Sequence, residues 1–142
     1  MPVEAIHLGE QENPRLRSVE AVRAFAGKGL EGDGRYFYEQ GAEPGRALTL
    51  VEAENVEDVG LEEGATRRNV TVRGVALNDL VGKRFTVGEV ECLGVELCEP
   101  CLHLQEMTRP GIIKELVHRA GLNADILTDG VISVGDEVST LA

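Results

Sequence analysis

RRNVTVRGVALNDLVGKRFTVGEVECLGVELCEPC, Arg67 to Cys101, carries the fold in outline. NVTVRGV alternates apolar and polar residues with the two-residue period of a half-buried strand. LNDLVG has the spacing of one helical turn, and RFTVGEVECLGVEL alternates again around a Val-Gly-Glu step that predicts a hairpin. The stretch ends on C-E-P-C: Cys98 closes the strand, and Cys101 follows Pro100 at what reads as the first turn of a helix.

The flanks extend the pattern. Upstream, VEAIHL and SVEAVRAF read as half-buried strands, and the four glycines of GKGLEGDGRYF (residues 27–37) break them. RALTLV predicts the next strand and EAENVEDVG a short acidic helix ending at Gly60. Downstream, CLHLQEM and GIIKELVHRAG have helical spacing, with Ile112, Ile113, Leu116 and Val117 on one face. The tail ADILTDGVISVGDEVSTL alternates once more, and Asp129-Gly130 and Gly135-Asp136 predict two hairpin turns. Seven or so short strands, few short helices and no βαβ rhythm predict a mainly β barrel or sandwich and exclude Rossmann and thioredoxin frames. No repeat or low-complexity linker divides the sequence, so residues 1–142 are expected to form a single domain.

Charge narrows the function classes. Against 14 basic residues stand 25 acidic ones, a formal net charge of −11, which argues against nucleic acid and against an anionic membrane surface as partners. Of the acids 19 are glutamate, and Lys28, Lys83 and Lys114 are the only lysines, a surface suited to high salt. The opening MPVEAIHLGE lacks a basic start and a long apolar run, so a cytoplasmic location with reduced thiols is expected. Three cysteines, an odd number, also argue against a disulfide framework.

The chemistry concentrates in LCEPCLHL. A helix N-terminus lowers a thiol's pKa and makes it a better nucleophile and metal ligand, which draws attention to Cys101. Cys92, Cys98, Cys101 and His103 make a ligand set that zinc accepts, but Cys92 and Cys98 would be roughly 20 Å apart on a straight strand, so zinc requires a bend or bulge. A thioredoxin-like redox role lacks its βαβ context. In TRRNVTV, alternation directs one of Arg67 and Arg68 inward, where a guanidinium offers a planar fork to phosphate or carboxylate. GLEGDGRY is no phosphate loop by spacing, but its glycines permit close backbone approach to a ligand, and Asp33 and Arg35 can orient each other. His7 and His118 have no sequence neighbours that suggest a site.

In order and content these segments resemble the MOSC family, named for the C-terminal domain of molybdenum-cofactor sulfurase. The motifs are GLEGDGRY, ALTLVEAENVE, the central RRNVTVRGVALNDLVGKRFTVGEVECLGVELCEPC and the closing GLNADILTDGVISVGDEV, together nearly the whole chain. The resemblance implies a closed β-barrel with a few short helices and a reactive cysteine at Cys101, with Cys98 as its companion. Some members are proposed to accept sulfur as a persulfide from a pyridoxal-phosphate cysteine desulfurase. Others hold the molybdenum cofactor, ligate the metal through that cysteine and reduce N-hydroxylated compounds, which calls for a redox partner. By the same resemblance Arg67 and Asn69, and less firmly Arg68, hold cofactor phosphate or pterin; Gly32 admits the pterin to the backbone and Asp33 contacts or shapes that site. The implied function is a sulfur-carrier or molybdenum-cofactor-binding module in which Cys101 is the persulfide carrier or the metal ligand. A molybdenum-dependent reductase and a zinc-stabilised structural module are the alternatives, and enzyme status stays open.

Overall fold

The computed structural model describes residues 2–9, 16–34, 37–99 and 102–141, with the backbone alone for Leu102, His103 and Met107. The strands are β1 (Val3–Leu8), β2 (Arg17–Val19), β3 (Ala21–Phe25), β4 (Gly29–Leu30), β5 (Leu48–Glu52), β6 (Val70–Val72), β7 (Arg84–Val87), β8 (Val90–Leu97), β9 (Leu122–Ile126), β10 (Gly130–Ser133) and β11 (Val138–Thr140). Helices α1 (Ala53–Asp58), α2 (Leu102–Met107) and α3 (Ile112–Leu116) and one 3-10 turn, Leu77–Leu80, complete the elements among the described residues. Eight strands form one curled sheet in the order β11-β7-β8-β9-β5-β6-β1-β2, and β10-β3-β4 form a second. This is the mainly β, barrel-like architecture with few short helices that the sequence predicts.

Alternation explains the core. Along β8, Val90 and Cys92 are buried while Glu91 and Leu93 are partly exposed, and along β9 Leu122, Ala124 and Ile126 are buried. With Phe85, Leu48, Leu50, Val70 and Ile132 these side chains fill the space enclosed by the two sheets. A second, smaller cluster of Val59, Leu104, Ile112, Leu116 and Ala120 seats α2 and α3 against the end of α1. Each large side chain so buried contributes about 1.5–3 kcal/mol relative to exposure.

Three details depart from the sequence reading. β5 and β6 are parallel neighbours, Leu50 opposite Val70, joined through α1, so one βαβ-type crossover exists where none was expected. Parallel strands need such a connection, and the acidic helix supplies it. Asp129-Gly130 and Gly135-Asp136 are not hairpin turns. β9 is already flanked by β8 and β5, so beyond Asp129 the chain passes to the other sheet, where β10 pairs with β3 and the Asp129 carboxylate accepts the Ala26 N–H at 2.7 Å. At Gly135 it returns to pair β11 with β7, with backbone bonds to Val3 on the way.

β8 does not run straight. Its register against β9 shifts between Gly94 and Glu96, leaving Val95 as an extra residue. Gly94 itself is pressed against the 3-10 turn: a Cβ there would lie 2.0 Å from the Leu80 carbonyl oxygen, so only glycine fits. A bulge of this kind changes which side chains share a face. Cys92, before it, faces the core, whereas Cys98, after it, is half-buried at the rim of a cavity.

Candidate functional site

A cavity of about 100 Å³ lies over the adjacent strands β8-β9-β5-β6 and is lined by Gly45, Arg46, Thr49, Arg67, Arg68, Cys98 and Asn123. The lining comes from the loop before β5, from β5 itself, from the entry to β6, from the exit of β8 and from β9. Three guanidiniums and a thiol thus meet in a protein of formal net charge −11.

Both arginines of the R-R-N segment line this cavity, where strand alternation would have placed only one. The reason is conformational: β6 begins only at Val70, and Arg67 has a φ of +62°, the left-handed region that a non-glycine residue seldom adopts. Its N–H closes a turn on the Gly64 carbonyl at 3.0 Å. The period-two rule holds within a strand, not across a left-handed residue. Arg68 is then fixed by donating from Nε to the Ala120 carbonyl at 2.9 Å and from Nη1 to the Thr66 carbonyl at 3.0 Å.

Cys98 is held by its backbone, whose N–H donates to the Gly121 carbonyl at 2.8 Å. Gly121 has a φ of +126°, and a Cβ there would come within 2.2 Å of the Leu50 carbonyl oxygen and 3.5 Å of Arg68 Nε. On the opposite wall the Gly45 N–H is fixed by the Asp125 carboxylate at 2.8 Å. Arg46, exposed beside it, lines the same cavity and was missed in the sequence, where it stands apart from any motif.

The structure places the other expected site residues differently. Asn69 is fully buried and its amide is wholly engaged inside the protein. Oδ1 accepts from the Thr49 N–H at 3.3 Å and the Thr49 hydroxyl at 3.1 Å, while Nδ2 donates to the His7 carbonyl at 3.1 Å and to Asp33 Oδ2 at 2.7 Å. Asn69 therefore ties β1, β5 and the glycine loop together behind the arginines. Asp33, 2% exposed, accepts the Asn69 Nδ2 bond and does not line the cavity. Gly32 lines a separate open groove of about 510 Å³, with Arg17, Arg23 and Val131 among its neighbours. Its φ of +87° and the Arg17 Nη2 bond to its carbonyl, 3.2 Å, account for the glycine there. Cys101, Pro100, Arg35 and the His103 side chain lie outside the described residues.

Zinc gains nothing from Cys92. The bulge that zinc required is present, but Cys92 is fully buried in the core, and burial, with the charges of Asp125 and Glu91 adding to it, pushes its thiol up to about 12. A thiol that resists deprotonation so strongly is a poor ligand. Among the described residues no three His, Cys, Asp or Glu side chains cluster as a metal site.

One contact of the C-E-P-C segment was not expected. The two oxygens of Glu99 accept from His118, one from its backbone N–H and one facing Nδ1, both at 2.7 Å. The backbone bond first, then the ring, hold the Glu99 carboxyl below the usual carboxylate range. His118 has a φ of +61°, and its carbonyl accepts from Asn78 Nδ2 at 2.8 Å. Glu99, the residue after Cys98, is thereby anchored to the loop that also supplies Gly121. The pairing spans 19 residues, so only the fold reveals it.

No helix among the described residues is long and apolar enough to cross a membrane. No curated protein sequence matches the chain. Among solved structures, the chain is similar to YuaD from Bacillus subtilis at 16% identity, covering 98% of this chain and 94% of that one with a TM-score of 0.79. YiiM from Geobacillus stearothermophilus is similar at 19% identity, over 99% of this chain and 74% of that one, TM-score 0.72. YiiM from Escherichia coli is similar at 18% identity, over 100% and 70%, also with a TM-score of 0.72. At such identities the likeness concerns the fold. The family model of the MOSC domain matches residues 38–139, a stretch that contains every residue lining the cavity, and the chain belongs to that family, which is associated with the molybdenum cofactor.

Proposed function

We propose that this protein is a sulfur-carrier or cofactor-binding module of molybdenum-cofactor chemistry, with Cys101 as its working sulfur. The observation that carries the reading is the convergence of Arg46, Arg67 and Arg68 on one cavity that Cys98 of the C-E-P-C segment also lines. The lining fits the anionic end of the group. The cofactor's phosphate is an anion, and guanidiniums supply charge-assisted hydrogen bonds to it. Asn123 adds a polar side chain, and Gly45 leaves room for backbone approach. The cofactor, when bound, supplies a redox-active metal, for which a thiolate is a suitable soft ligand. Arg68, braced on two carbonyls, presents its charge without reorganisation, and Asn69 holds the frame behind it.

Cys101 follows Cys98 by three residues in the sequence. As a carrier, Cys101 would receive a persulfide from a pyridoxal-phosphate cysteine desulfurase. As a metal ligand in a reductase of N-hydroxylated compounds, it would require an external redox partner. Native mass spectrometry after incubation with molybdenum cofactor tests the reading. Wild type should retain a pterin adduct that Arg67→Ala weakens and Cys101→Ser loses. An adduct indifferent to both substitutions would overturn it.

A further inference from the structure

Cys98 lines the arginine cavity itself, and nothing in the cofactor reading requires a thiol at that point. We infer that the cavity is also a loading site for a small sulfane-sulfur oxyanion of the thiosulfate class, and that Cys98 is the nucleophile that takes its outer sulfur. This rests on the sulfur-carrier form of the reading above and names a donor for it.

The reasoning starts from charge. A thiolate and thiosulfate bring three negative charges together, and they repel unless cations intervene. Arg46, Arg67 and Arg68 line the same cavity of about 100 Å³ as the thiol, in a chain whose overall charge of −11 repels anions elsewhere. The sulfonate end of thiosulfate has three oxygens for the guanidiniums and for the Asn123 side-chain amide. Its outer sulfur carries no oxygen and is the soft electrophile that a thiolate prefers.

The step balances. The Cys98 thiolate attacks the outer sulfur, a new S–S bond forms, the bond from that sulfur to the sulfonate sulfur breaks with its electron pair, and sulfite leaves. Thiolate and dianion give persulfide anion and sulfite dianion, so three negative charges enter and three remain. No external oxidant or reductant is needed. Cys92 cannot substitute, because it is buried in the core with its thiol held up to about 12.

The experiment uses the full chain, reduced, with sodium thiosulfate as the probe, and reads sulfite release and the mass of each cysteine peptide. Wild type and Cys101→Ser should each release one sulfite per sulfur gained, with the sulfur mapped to Cys98 in Cys101→Ser; Cys98→Ala should release none. Arg46→Gln should slow loading about tenfold, the effect of one charge-assisted hydrogen bond, and added sulfate should compete with thiosulfate in wild type. Sulfite release that survives Cys98→Ala would overturn the inference, as would loading insensitive to sulfate. Absence of any loading in a protein that still retains pterin through Arg67 would refute the thiosulfate route and leave the cofactor reading standing.

Discussion

Asn69→Asp separates a residue that frames the site from one that touches its ligand. The substitution keeps the shape and the Oδ1 acceptor for Thr49, and replaces only the Nδ2 donor that serves the His7 carbonyl at 3.1 Å and Asp33 Oδ2 at 2.7 Å. The first is a neutral hydrogen bond of about 1 kcal/mol and the second a charge-assisted one of about 1.5–3 kcal/mol. In their place a carboxylate would face both a carbonyl and the buried Asp33, which is 2% exposed. The loss should total about 4 kcal/mol, a large part of the stability of a small domain. With a urea slope of about 2 kcal/mol per molar, the midpoint should fall by about 2 M at pH 7 with the slope unchanged.

The pH dependence carries its own sign. The introduced carboxyl would be buried facing a second acidic side chain, so it binds its proton more tightly in the folded state than in the unfolded one. The folded state then gains stability as pH falls, so the deficit should be smaller at pH 5 than at pH 7. Urea titrations at both pH values check this. A midpoint within about 0.3 M of wild type at pH 7, with cofactor binding lost, would refute the framing role and make Asn69 a ligand contact.

Other outcomes follow from the same geometry. Iodoacetamide at pH 8 should leave Cys92 unmodified in the native protein and label it only after unfolding. Because burial raises the Cys92 thiol to about 12 from an ordinary 9.0, its contribution is complete below pH 9 and declines by about 1.4 kcal/mol per pH unit as pH rises through that window; Cys92→Val should remove the slope. Gly121→Ala would bring a Cβ within 2.2 Å of the Leu50 carbonyl at a φ of +126°, and should cost about 3 kcal/mol, or roughly 10 °C in Tm; an unchanged Tm would refute the close approach. Glu99 lies below its ordinary 4.5, so its pairing with His118 stabilises above that pH and fades as pH falls through the folded value; Glu99→Gln should flatten that acid limb by less than about 1 kcal/mol, since the pair is exposed. A steeper acid limb in Glu99→Gln would reverse that assignment.

Local periodicity made most strands and all three helices readable, because a buried face imposes its spacing on the residues that form it. VEAIHL, RFTV and VECLGVEL became β1, β7 and β8 within a residue or so of their apolar limits. Pairing was harder to read. Asp129-Gly130 has the composition of a tight hairpin, but β9 already had partners on both sides, so the turn chemistry served a passage between sheets instead. Turn residues describe a local backbone; which strand lies beside the next is decided by global packing. The site divides in the same way. Arg67, Arg68 and Cys98 stand out in the sequence as scarce cations and a thiol beside recognisable strands. Arg46 and the Glu99–His118 contact carry no local pattern, since their partners come from elsewhere in the chain.

The charge balance has a functional consequence in this geometry. Three of the 14 basic residues line one cavity of about 100 Å³, while Arg73, Arg84, Arg109 and Arg119 are paired with Glu4, Glu57, Glu91, Glu115 and Asp58. An anion approaching the surface therefore meets repulsion or neutralised pairs over these stretches, whereas the cavity gathers three guanidiniums. That arrangement discriminates by position as well as by affinity: an acidic exterior lowers nonspecific anion binding, so a modest site can be selective. Raising the ionic strength should weaken this discrimination for exposed Arg46 before it weakens the braced Arg68, because screening acts first on solvent-facing charge. The same reasoning accounts for the two cysteines on either side of the bulge: Cys92 is kept inert by the core, while Cys98 is set among the charges that can make a thiol useful.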